Sequence, residues 1–166
     1  MNLLTDGEWV VRRAKREFDE IQWLVTESHR MACEDWKVPE FMPADPNRCG
    51  QLWDWCVAEH FVLIAEKRGE RAGFIAGFLV PHPYNPELRT LHSTLWYVAP
   101  HARRTRCGYL LAKAFTDWGV ENVDYLSLTL HRKSGDRMME HLGYDDVERT
   151  FTQWGKSYAS RKDATA

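Results

Sequence analysis

Cysteine is scarce in this chain. Cys33, Cys49, Cys56 and Cys107 are the only four, and no two form a CxxC pair, so that redox or metal signature is absent. No metal ligand set is assigned. Cys49 and Cys56, if helical, lie about two turns or roughly 10 Å apart, too far for a disulfide. The thiols read as free, in a reducing cytoplasm. No apolar run approaches the ~18 residues of a membrane span. The first ten residues carry Asp6 and Glu8 and have neither a basic n-region nor an apolar core, so no signal peptide is expected. Repeats and low-complexity segments are also missing.

What is present is globular. The 166 residues are 44% hydrophobic and 28% charged, which excludes a mostly disordered chain. A domain of this length buries about two thirds of its unfolded surface without disulfide staples. We expect a single domain over residues 1–156 and a polar, frayed tail over 157–166. The net charge of −2 hides an asymmetry: residues 17–59 hold ten acids against three bases, a local −7, and Arg103, Arg104 and Arg106 form a basic spot later on. Such a chain is suited to ligands of both signs.

Residues 8–13 read as a short strand. Phe18, Ile21, Leu24, Val25 and Met31 form a helical stripe within residues 14–33. Three prolines between Trp36 and Pro46 mark a loop, and Asp45 followed by Pro46 reads as a helix start. That helix continues through Leu52, Trp55 and Cys56. Residues 61–67 and 71–80 form a hairpin pattern, with a proline-rich loop at 81–86. A strand at 88–98 is followed by a helix at 103–119 that Gly119 ends. Leu126, Leu128 and Leu130 alternate in a strand over 124–130. A short helix at 134–142 closes on Gly143, and a last strand covers 147–155. The strand–helix–strand step after residue 88 predicts parallel neighbours, and the whole order predicts a mixed sheet with helices on its faces.

The segment from Val98 to Leu111 is the most informative. A strand ends, a basic loop turns and a helix starts. Amides at a helix N-terminus lack intrahelical partners and sit at the positive end of the dipole, a cradle for an anion such as a pyrophosphate. Arg103, Arg104 and Arg106 add charge-assisted donors, and Gly108 permits close backbone approach. An ordinary exposed basic loop has the same spacing, so the spacing leaves both readings open.

Val98, Pro100, Arg103 and Gly108, with Leu142-Gly143-Tyr144 near the C-terminus and the element order β-α-α-β-β-β-α-β-α-β, resemble the GNAT superfamily of N-acetyltransferases over roughly residues 8–155. The chain departs from the family loop motif at its central glycine, which is Arg106. The resemblance implies an α/β fold: a mixed, mostly antiparallel central sheet, helices on both faces, and a splay between the fourth and fifth strands. It implies acetyl-CoA as acyl donor. The cofactor would be held by Arg103, Arg104, Thr105, Arg106, Cys107, Gly108 and Tyr109, and by Trp96, Tyr97 and Val98 on the preceding strand.

In some members of the family a carboxylate base stands eleven residues before the motif, a position that His92 occupies here. Histidine as a residue type titrates near neutrality and suits a general base. By strand alternation Thr94 and Trp96 share its face and would line the acceptor site. The family's tyrosine acid is replaced by Met139, leaving Tyr144, Ser127 and His131 as substitutes, and the asparagine that touches CoA is replaced by Arg132. The acceptor implied is a small-molecule or protein amine, cationic and drawn to the acidic first half, with Trp36 and Trp53 as pocket aromatics and Trp23 and Trp55 as core. That acidic stretch argues against nucleic-acid binding through the first helices, while the basic side leaves a nucleic-acid amine open. A homodimer is a further expectation of the resemblance. The open alternative is a CoA- or protein-binding module without standard catalysis.

Overall fold

A turn at Gly7 and Glu8, with Gly7 at φ 59°, folds the chain start into a hairpin of β1 (Asn2–Asp6) and β2 (Trp9–Arg13). The computed structural model describes residues 2–35, 45–129 and 136–145. The sequence reading placed one strand here, over 8–13, and missed β1. Helix α1 (Phe18–Arg30) runs into a π-helical turn at Met31–Asp35. It starts at Phe18 rather than Ala14 because the Ala14 N–H still donates to the Val62 carbonyl (2.9 Å), prolonging the sheet. Ile21, Leu24 and Met31 are buried as the stripe predicts, whereas Phe18, at the first turn, is 81% exposed.

Helix α2 (Pro46–Glu59) begins as predicted. Asp45 Oδ1 accepts from the Asn47 and Arg48 amides at 2.8 and 3.2 Å, and proline occupies the first turn. Strands β3 (Phe61–Lys67), β4 (Glu70–His82) and β5 (Asn85–Val98) follow. The expected loop at 81–86 is in fact the end of a long hairpin, with Pro81 paired to Arg89 and His82 to Asn85. Beyond Gly77, β4 has no β3 partner, so Pro81 lacks no needed N–H on that side. A 3-10 turn at Pro100–Ala102 leads to α3 (Cys107–Asn122), then β6 (Tyr125–Ser127) and α4 (Asp136–His141). Gly119 does not end α3: it lies inside the helix, where a Cβ would meet Leu126 Cδ1 at 2.8 Å, so it is a contact glycine. The predicted strand at 147–155 and the tail lie outside the described residues.

The six strands lie in sequence order, antiparallel except for the parallel β5–β6 pair. This is the mixed sheet with helices on both faces that the sequence predicts. One face packs α3 through Phe61, Leu63, Ile75, Leu91, Leu111 and Phe115. The other packs α1 and α2 through Leu24, Trp53, Ile64, Phe74 and Tyr97. Trp53 is 3% exposed and donates its indole N–H to Ser28 Oγ (3.0 Å), whereas Trp55 is 47% exposed. Trp55, expected in the core, is thus the more exposed of the two, and Trp53 is largely buried. The helix turns its 53, 56 and 57 positions inward, one residue out of phase with the expected stripe.

Candidate active site

Strands β5 and β6 pair only from Thr90–Tyr125 to His92–Ser127. At the next residue Ser93 Oγ takes the Thr129 amide (2.7 Å), a side chain standing where a strand would continue the ladder. From Ser93 to Val98, β5 keeps its β4 partner but has no strand on its other side among the described residues. This is the splay.

A bulge sits at the same level. Ala76 pairs with Leu95 but Gly77 with Ser93, leaving Thr94 as an extra residue on β5. The extra residue inverts the alternation. His92 stands opposite Phe78, on the α1/α2 face, while Trp96 and Val98 pack on the α3 face. The expectation that Trp96 shares the face of His92 is corrected by this bulge. Thr94 is exposed and its Oγ1 donates to the Ala76 carbonyl (3.3 Å).

His92 is half-buried, and its Nδ1 lies 2.7 Å from Ser127 Oγ. Parallel pairing brings these two residues together across 35 positions of sequence. Next to them, an apolar cavity of about 190 Å³ opens between α2 and strands β4 and β5, lined by Leu52, Trp53, Cys56, Ala76, Phe78, Thr94 and Leu95. Burial pushes the Cys56 thiol up to about 11. His60, at the C-terminus of α2, packs on Trp55 and Phe78. Its Nδ1 accepts the Leu79 amide (3.3 Å), and burial lowers its pKa.

At the other end of the splay lies the basic loop. Arg106 has φ −74° and opens α3 in a helical conformation that needs no glycine. The loop's left-handed residue is Arg104, at φ 65° and exposed. Arg106 pairs with Asp6 of β1. Arg103 Nε donates to the Val98 carbonyl (3.1 Å), and its guanidinium lies 5.8 Å from the centre of the Tyr97 ring. Thr105 Oγ1 takes the Cys107 amide (3.3 Å). The Cys107 side chain is wholly buried and its thiol is pushed up to about 12, so only its backbone faces the loop. Tyr97 also points into the α1/α2 core, where burial pushes its phenol up to about 12.

These residues fit acetyl-CoA. The loop is cationic and carries the first amides of a 16-residue helix. A Cβ on Gly108 would meet nothing closer than 3.6 Å, so the protein itself leaves that backbone uncrowded. The neighbouring Trp96 Nε1 is a buried donor with no partner among the described residues. The bare edge of β5 connects loop and splay.

Two expectations are revised. Half the acids of residues 17–59 (Glu17, Asp19, Glu20, Glu27 and Asp54) are in ion pairs with Lys15, Arg71, Arg12, Arg30 and Arg16. Half of the predicted acidic stretch is thus paired with local cations. The Tyr144 hydroxyl is bonded to Thr116 Oγ1 on α3 (2.9 Å), with no described contact to His92, and burial raises its pKa. Trp36, His131 and Arg132 lie outside the described residues. Sequence reading missed Ser93, Phe78, Ala76 and Leu95, which only the register and the bulge bring to the site.

The family model described as Acetyltransferase (GNAT) family matches residues 13–144. A search of curated proteins finds no match. Among solved structures, one from Clostridium acetobutylicum, described as a predicted acetyltransferase with acetyl-CoA, is 17% identical. The match covers 87% of this chain and 95% of that one, with a TM-score of 0.66. An aminoglycoside acetyltransferase from an uncultured soil metagenomic sample is 13% identical, with 90% and 99% of the chains covered. Its complexes with trehalose and sisomicin give TM-scores of 0.65 and 0.64. At these identities the likeness is one of fold.

Proposed function

The chain belongs to the GNAT acetyltransferase family and is an acyltransferase with acetyl-CoA as donor; on that premise we propose that its acceptor is a primary amine and that His92 is the general base. The observation that carries this reading is the place of His92: at the last paired residue before the splay, beside the apolar cavity and 2.7 Å from Ser127.

Bound acetyl-CoA supplies an electrophilic thioester carbonyl, at which the amine nitrogen forms the C–N bond as the C–S bond breaks and CoA thiolate leaves. The residues of the chain prepare that exchange. Arg104 and the first amides of α3 hold the pyrophosphate. The edge of β5 that faces away from β4, from Ser93 to Tyr97, orients the pantetheine arm. His92 takes the proton of the incoming ammonium. When its Nδ1–H donates to Ser127 Oγ, the Nε2 lone pair is the free one. The ammonium proton goes on to solvent, and the second proton, which the nitrogen loses as the amide forms, passes to the thiolate directly or through water. Tyr144, held on Thr116, has no step in this scheme.

His92→Ala should lower kcat by about 10²- to 10⁴-fold with little change in acetyl-CoA affinity, measured by thiol release and by calorimetry. Unchanged turnover would remove His92 from the mechanism. A loss of about 10²-fold or more in Tyr144→Phe would move the acid role to that phenol.

A further inference from the structure

We propose that the cavity between α2 and strands β4 and β5 seats the non-reacting body of the acceptor, and that the acceptor is therefore a compact alkyl or arylalkyl primary amine, not a polyamine or an amino sugar. The inference rests on the acetyl-transfer reading above and names its substrate class.

Three observations carry it. The first is the lining. The side chains of Leu52, Ala76, Phe78 and Leu95 offer carbon only, the Trp53 indole N–H is held by Ser28, and the Thr94 hydroxyl proton is given to the Ala76 carbonyl, which leaves the Cys56 thiol and the Thr94 oxygen as the polar atoms of the lining side chains. A sugar with several hydroxyls, or a second ammonium, entering this space would give up water for at most one hydroxyl oxygen and a weakly polar thiol. The second is size. A cavity of about 190 Å³ compares with the about 150 Å³ apolar cavity that binds benzene, so the body that fits is of phenyl or pentyl size. The third is position. Phe78 forms one wall and is the direct cross-strand partner of His92, and Thr94 stands at the bulge next to the splay. An apolar body in the cavity therefore leaves its amine on the face that carries His92. The ion pairs along α1 and at Asp54 agree with this, since they withdraw the carboxylates a polycation would need.

The test is thiol release from acetyl-CoA with an unbranched series from ethylamine to pentylamine, with phenethylamine, spermidine and sisomicin alongside. We expect kcat/KM to rise about threefold to fourfold per methylene until the cavity is full, and phenethylamine to exceed spermidine and sisomicin. Leu52, at 46% exposed, can change without disturbing the core, so Leu52→Trp should fold normally by circular dichroism and flatten the chain-length slope. A flat series in the native protein, a preference for spermidine or sisomicin, or an unaltered slope in Leu52→Trp would overturn the proposal while leaving amine acetylation intact. No thiol release with any amine, from protein that acetyl-CoA stabilises against heat, would overturn both readings.

Discussion

At the residue scale the chain shows how one inserted position redirects chemistry. His92 was legible as a candidate base only through the family resemblance, which puts a base eleven residues before the loop motif. Its setting was not. Ser127 reaches it only through parallel pairing, and the Thr94 bulge turns Trp96 to the opposite face, so strict alternation gave the wrong neighbour. A bulge leaves no mark in a stretch such as Ser93-Thr94-Leu95, where every residue is an acceptable strand former. The cysteines make a sharper residue-scale prediction. Thiolate is the reactive form. Cys56 and Cys107 are buried and raised to about 11 and 12, whereas Cys33 is exposed beside His29 (3.6 Å). At pH 8 an aromatic disulfide reagent should therefore modify Cys33 promptly and leave Cys56 and Cys107 untouched until denaturant is added. Prompt reaction of all four thiols in the native protein would contradict the burial described here.

At the element scale the legible features were those written in local chemistry. Asp45 and Pro46 announce α2, and their geometry is that of a capped, proline-started helix. Asp45→Ala should cost about 1 kcal/mol and lower Tm by about 2 to 4 °C, read by thermal unfolding; no change would mean that α2 is held by its packing alone. The elements that were misread depend on partners far away in sequence. Gly119 looks like a terminator, yet its lack of a side chain serves Leu126 of the next strand. Pro81 looks like loop, yet β4 passes beyond β3 there, where a missing N–H leaves nothing unpaired, and only Pro83 and Tyr84 form the turn. β1 did carry a local signal, Asp6-Gly7 ahead of a strand pattern, and it was overlooked because five residues with two leucines form a weak run.

At the scale of the whole molecule the sheet is a wall between two apolar cores, and the candidate site runs along its β5 side. The basic loop, the bare edge of β5, the bulge and the cavity follow one another from the N-terminus of α3 to α2. Acetyl-CoA at about a hundred times its Kd should stabilise the fold by about 2.7 kcal/mol, raising Tm by about 5 to 10 °C for a chain of this length. Arg104→Asn, which keeps a residue type tolerant of φ 65° while deleting the cation, should weaken acetyl-CoA binding about tenfold. An undiminished shift would take Arg104 out of the loop's function. The split between β5 and β6 has one more consequence. Among the described residues it leaves a strand edge beside β6, and such edges recruit extended backbone that reaches them. Pantetheine, with two amides in line, is itself a short stretch of backbone. A donor bound there would work as a removable strand beside the six described ones, and without it slow self-association is the expected fate of concentrated samples, visible as rising light scatter that CoA suppresses.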